Sequence, residues 1–227
     1  MSLYAWLMVL SFAGPFALSF DKKVAFYKTW KLLFPGILLN ALIFISWDIW
    51  FTWKGVWGFS TLYTFPQRWF LLPIEEWSFF LVIPYASVFI YACLEAYFDL
   101  SFFKKAGNVI SILALLALAL VIAVWWDRTY TLVNSAVALV LLAHQFFIKK
   151  SKWMHAFWLA YLVHLIPFLL VNGVLTGFVT PEPVVWYNTS EIIGFRLGTI
   201  PVEDTIYAFS CLYIPIAVKE WLNARQG

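Results

Sequence analysis

Charge is the scarcest property of this chain. Asp, Glu, Lys and Arg make up 12% of its 227 residues, while hydrophobic residues reach 63% and aromatics 21%. An ordinary soluble domain is about half apolar and a quarter charged, so this composition belongs in a bilayer. No polar stretch is long enough to form a second, soluble domain. Cysteine and histidine are equally sparse. Cys93 and Cys211, with His144, His155 and His164, show no metal-ligand or redox spacing, so no metal site is expected. Both cysteines lie in apolar runs, where packing is the expected role. The net charge of +3 is small and scattered, which excludes a nucleic-acid partner.

What is present is a series of apolar runs. A span needs about 20 mainly apolar residues. On that basis the sequence predicts seven transmembrane helices, over 2–20, 32–52, 74–97, 107–126, 130–148, 154–176 and 200–220. The opening MSLYAWLMVLSFAGPFALSF lacks a basic leader region and reads as the first helix rather than a cleaved signal. Basic residues give an independent check. Lys22, Lys23, Lys28, Lys31, Lys104, Lys105, Lys149, Lys150, Lys152, Lys219 and Arg225 fall on one face, against Lys54, Arg68, Arg128 and Arg196 on the other. The positive-inside rule then puts the C-terminus in the cytoplasm and the N-terminus outside, in a multi-pass protein of a prokaryotic cytoplasmic membrane.

Acids are rare enough for their placement to be informative. PIEEWSFF (73–80) and PVEDTIYAF (201–209) each put two adjacent carboxylates at the start of an apolar run. An offset of 128 relates Arg68 to Arg196, Pro73 to Pro201, Glu75 to Glu203, Glu76 to Asp204 and Tyr85 to Tyr213. Asp48 and Asn172, near the ends of the second and sixth spans, match at an offset of 124. The expected fold is an all-α integral membrane protein of about seven helices, in which two parallel three-helix repeats are joined by a linking helix. The whole chain, 1–227, forms one membrane domain, with a first unit at 1–98, a linker at 99–129 and a second unit at 130–227. Parallel repeats of this kind meet about an axis along the membrane normal. Both acid motifs would then open toward one face and converge on one cavity.

Proline suits a first helical position, so the four acids are expected in the first turns of the third and seventh helices. There the helix dipole favours carboxylate, and Arg68 and Arg196 offer ion-pair partners. Interfacial caps and salt bridges would explain a single such motif, but two copies in one small chain favour chemistry. Carboxyl groups close together in a dry site can divide the roles of proton donor and acceptor. Aromatic residues crowd the approach, including Trp57, Phe59, Phe79, Tyr187 and Tyr207, and their π faces suit a cation. An interfacial aromatic belt is the plainer reading of most of these rings.

The two P-x-E-[ED] motifs, with Asp48, GVWGF (55–59) and PVVWYNTSEIIGFRLGTIPVED (183–204), resemble the membrane-integral lycopene cyclases of the heterodimeric bacterial and fused archaeal or fungal type. The resemblance covers about residues 2–221. It implies a lycopene β-cyclase that needs no cofactor. An acid protonates a terminal double bond of an acyclic carotenoid such as lycopene, an internal double bond attacks the cation, and a base removes a proton to leave a ring. Glu75 and Glu203 are the expected acid–base core, with Glu76 and Asp204 as partners. Asp48, Asn172, Arg68, Arg196 and the five rings named above would support them. The partners implied are the carotenoid, the lipid bilayer and other enzymes of the carotenoid pathway. Carotenoid binding without turnover, hydration in place of cyclisation, and small-solute or proton-coupled transport remain alternatives. A retinal protein would need a lysine within 200–218, and there is none. The absence of D-x-x-x-D speaks against a magnesium-diphosphate prenyltransferase, and the absence of G-x-G-x-x-G against a flavin cyclase.

Overall fold

A computed structural model describes residues 1–225. Its seven helices are α1 (Leu3–Leu18), α2 (Trp30–Lys54), α3 (Ile74–Tyr97), α4 (Lys104–Val124), α5 (Thr129–Ala143), α6 (Met154–Leu175) and α7 (Glu203–Asn223). Among the described residues, five helical segments are long and apolar enough to cross a bilayer: Phe26–Lys54, Ile74–Tyr97, Leu100–Val124, Thr129–Lys149 and Met154–Leu175. The expectation of seven equivalent spans is therefore met only in helix number. At 16 residues α1 rises about 24 Å, short of a hydrocarbon core about 30 Å thick. Helix α7 carries Glu203, Asp204, Lys219 and Glu220, and these charges are tolerable because it packs against α2, α3, α5 and α6. A helix enclosed by protein need not be apolar toward lipid.

Helix α2 packs most extensively on α7, and α3 on α1, with further contacts of α3 to α6 and α2. Helix α4 leans on α5 and α6 and buries little besides Gly107, Ser111 and Leu118. The helices end by ordinary chemistry. Gly55, at φ +71, closes α2 by donating its N–H to the carbonyls of Phe51 and Thr52.

The helical fold also carries short strands in its loops. Six short strands form three antiparallel pairs: β1 (Trp57–Phe59) with β4 (Val185–Tyr187), β2 (Arg68–Trp69) with β3 (Leu72–Pro73), and β5 (Arg196–Leu197) with β6 (Ile200–Pro201). The R-x4-P spacing is thus the register of a hairpin, with Arg68 opposite Pro73 and Arg196 opposite Pro201. The prolines are not the first helical residues. Pro73 is extended, at φ −65 and ψ 152, and caps α3, while Pro201 precedes the cap Val202. Such ends suit a residue that lacks an N–H.

The two hairpins turn differently. Gly198, at φ +66, takes the left-handed position of the second, but the first puts Phe70 (φ +49) and Leu71 (φ +74) there. Two-residue hairpins with both residues left-handed favour Asn-Gly. Phe70→Asn with Leu71→Gly is therefore expected to stabilise the protein by about 1 kcal/mol in detergent melting. An unchanged or lowered midpoint would show that these exposed side chains make compensating contacts.

The β1–β4 ribbon joins the two halves of the chain. Trp57 faces Tyr187, Gly58 faces Trp186 and Phe59 faces Val185. The Ser60 N–H donates to the Val184 carbonyl and the Asn188 N–H to the Val56 carbonyl, both at 2.8 Å, continuing the ladder at each end. Gly58 and Trp186, the central pair, are themselves 128 residues apart.

Candidate active site

Beneath the ribbon lies a cavity of about 50 Å³, room for a few waters at most. Residues 57, 59, 185 and 187 face it from alternate strand positions, so Trp57, Phe59, Val185 and Tyr187 form its roof. The first turns of α3 and α7 contribute Glu76 and Asp204, α2 contributes Asp48, and α6 contributes Asn172 and Phe168. Tyr4, Phe79, Tyr130, Leu175 and Tyr207 complete the lining.

The carboxylates form two groups. Asp48 and Glu76 are neighbours in the cavity wall. Glu76 also accepts from the Tyr4 hydroxyl at 2.7 Å, and Asp48 from the Tyr207 hydroxyl at 3.2 Å. Asp204 accepts from three donors: Tyr130 Oη at 2.6 Å, Asn172 Nδ2 at 2.7 Å and Tyr187 Oη at 2.9 Å. Asp48 and Asn172 therefore occupy corresponding places, each beside the second acid of a motif, despite their shorter offset.

The first acid of each motif points elsewhere. Glu75 Oε1 accepts from the Ser2 hydroxyl at 2.5 Å and the Phe65 N–H at 2.7 Å. Glu203 Oε1 accepts from the Thr131 hydroxyl at 2.7 Å and the Ile193 N–H at 2.5 Å. Both are buried, neither lines the cavity, and each ties the loop ten residues upstream to a neighbouring helix start. The same loops position the tyrosines, since the Tyr4 N–H donates to the Tyr63 carbonyl and the Tyr130 N–H to the Glu191 carbonyl. The Glu191 side chain also receives the Thr129 N–H at 2.9 Å. Hydrogen bonding by Thr129 holds that loop carboxyl below its ordinary range.

Arg68 and Arg196 do not pair with the motif acids, contrary to expectation. Arg68 donates to the Phe65 carbonyl (3.0 Å) and the Thr64 hydroxyl (2.8 Å), and Arg196 to the Thr199 carbonyl (2.5 Å). Among the described residues, ion pairs are confined to Asp127, Arg128, Glu95, Lys219 and Glu220. The arginines brace hairpins, whose tight turns bring carbonyls within reach of the guanidinium.

The structure thus gathers Asp48, Glu76, Asn172, Asp204, Trp57, Phe59, Phe79, Tyr187 and Tyr207, and leaves Glu75, Glu203, Arg68 and Arg196 outside. The sequence reading missed Tyr4, Tyr130, Phe168, Leu175 and Val185. The two tyrosines stand 126 apart, so a search at one fixed offset passes over them. Among the described residues, no group of three or more His, Cys, Asp or Glu side chains is arranged to hold a metal ion.

The candidate site is a small cavity that sets carboxyl groups among aromatic faces, in a chain with five helical segments long and apolar enough to cross a membrane. Comparison with known families makes this specific. The lycopene cyclase family model matches residues 1–94 and again 127–222, and the chain belongs to that family. Its place is accordingly among the carotenoid cyclases, with a carotenoid substrate and a membrane setting. Neither the curated proteins nor the solved structures contain a match.

Proposed function

We propose that this protein closes β-rings on acyclic carotenoids such as lycopene by proton transfer alone, with the Asp48–Glu76 pair as acid and Asp204 as base. The observation that carries the proposal is the contrast between the two carboxylate groups. Asp48 and Glu76 are buried in one small cavity, and two carboxyl groups so placed cannot both ionise easily, so one of them keeps a proton. Asp204, by contrast, receives three donors, an arrangement that suits a proton-free carboxylate. This reverses the order expected from the motifs, and gives Glu75 and Glu203 the task of fixing the loops and helix starts that aim the reacting groups.

The steps balance without an oxidant or reductant. The acid pair delivers a proton to the terminal double bond, which leaves a tertiary cation. Electrons of an internal double bond form the ring carbon–carbon bond and move the cation into the ring. Asp204 removes a ring proton, and the C–H electrons become the ring double bond. The proton on Asp204 must return to the acid pair before the next turnover. Trp57, Phe59, Phe79 and Tyr207 offer ring faces to the cation.

The two family matches support two related units, 1–98 and 130–227, with α4 within the 99–129 linker. The Gly58–Trp186 pair then sits on the axis relating them. The balance of basic residues supports an N-terminus outside and a C-terminus in the cytoplasm. Pigment analysis of membranes that accumulate lycopene, with and without this chain, tests the activity. One-ring or two-ring products are expected. Unchanged lycopene beside a well-expressed, inserted protein would overturn the assignment, and hydroxylated open-chain products would replace cyclisation by hydration.

A further inference from the structure

A second cavity, of about 360 Å³, lies between α1, α3 and α6. Phe79, Phe168 and Asn172 line both it and the acid cavity, so the two adjoin across these side chains. Along α3 it reaches from Phe79 to Ile90, a rise of about 16 Å. Its walls are mainly apolar. The Ser87 hydroxyl is satisfied by the Ile83 carbonyl at 2.6 Å, and the His164 ring lies 5.6 Å from that of Phe168. At the rim Leu10 and Leu170 are exposed where lipid would be.

We propose that this groove binds the polyene chain of the substrate and is the single lateral entrance to the acids. The proposal rests on the cyclase reading and adds where the rest of the molecule lies. A carotenoid end group needs more room than the acid cavity offers, and the shared Phe79 and Phe168 are the side chains that must yield to admit it. The remaining chain must then lie somewhere apolar, next to the acids and open to the bilayer, and this groove meets all three conditions.

The corresponding space in the other half does not adjoin the acid cavity. Phe44 lies four residues before Asp48, as Phe168 lies four before Asn172. Phe44 is fully buried, stacked 5.4 Å from Trp47 and edge-on to Tyr207 at 4.8 Å. A larger groove of about 740 Å³, lined by Leu39, Ile43 and Tyr213 among others, shares no residue with the acid cavity. One end of the carotenoid is therefore processed at a time, while the far end stays in lipid, and a two-ring product requires the molecule to leave and return reversed.

Ala86 lines the groove away from the acids, and Ile43 lines the unconnected one. The test uses the full protein in lipid discs, as wild type, Ala86→Trp and Ile43→Trp. Each receives a forty-carbon acyclic carotenoid and a truncated polyene with the same terminal units. Retained polyene is read by absorption and ring product by chromatography. Ala86→Trp is expected to lower both readings about tenfold or more for the long substrate, while the short one and all Ile43→Trp readings stay near wild type. Undiminished handling of the long substrate by Ala86→Trp, or equal loss of both substrates, would overturn the groove assignment. Polyene retained but not cyclised by wild type, and lost in Ala86→Trp, would uphold the groove and reject the cyclase reading.

Discussion

Asp204→Asn and Glu76→Gln are each expected to lower ring formation by about 10²–10⁴-fold, the span usual for a positioned acid or base. At Asp204 the reason is direct. Three donors converge on its two oxygens, and an amide would place its own N–H₂ against one or more of them. At Glu76 the amide cannot hold the transferable proton that the pair with Asp48 requires. The informative contrast is with Glu75→Gln and Glu203→Gln. Each keeps an oxygen where Phe65 or Ile193 donates its N–H, so both should retain most of the activity and lose chiefly thermal stability. Product analysis of the four variants at matched membrane levels decides the matter. Activity surviving in Glu76→Gln and Asp204→Asn but vanishing in the other two would return the chemistry to the first acid of each motif.

Gly36→Val is expected to be the most damaging change far from the acids. Helix α2 crosses α7 so closely that a Cβ at Gly36 would lie 2.8 Å from the Pro215 carbonyl oxygen and 2.9 Å from its Cα. Backbone atoms of a helix cannot swing aside as a side chain tip can, so the helices must separate. Overpacking of this kind costs about 1–3 kcal/mol. The damage should reach the site, because α2 carries Asp48 and α7 carries Tyr207, which bond at 3.2 Å. Gly14→Ala is the matched control, since nothing lies within 4 Å of its Cβ position. Melting midpoints in detergent should fall for Gly36→Val and hold or rise for Gly14→Ala. Equal midpoints would mean that α2 and α7 slide apart at little cost.

Much of the site could be read from the sequence because charge inside an apolar run is costly and therefore conspicuous. That rule found the four motif acids, Asp48 and the 128-residue repeat. It could not rank neighbours. Adjacent residues on a helix point about 100° apart, so whether Glu75 or Glu76 faces the cavity depends on how α3 is rotated against α1, α2 and α6. The Tyr4 and Tyr130 hydroxyls were invisible for another reason: tyrosine is commonplace in a chain so rich in aromatics, and their spacing departs from 128. The hairpins were misread because R-x4-P carries no alternation over strands two residues long, and proline before acids imitates a helix start. Helix α7 shows the limit of hydropathy itself. Its environment is other helices rather than lipid, and a composition rule calibrated on lipid cannot detect that.

The ribbon of β1 and β4 carries a consequence for product fidelity. On the proposed mechanism, a tertiary cation has two competing fates beneath it: attack by its own chain, which gives a ring, and capture by water, which gives an alcohol. Each strand comes from a different half of the sequence, and their alternate side chains, Trp57 and Phe59 with Val185 and Tyr187, shield the cavity only while they are paired. Neither half alone can keep it dry. On the proposed mechanism, the partition between ring and alcohol depends on the pairing of two strands that carry neither the acid nor the base.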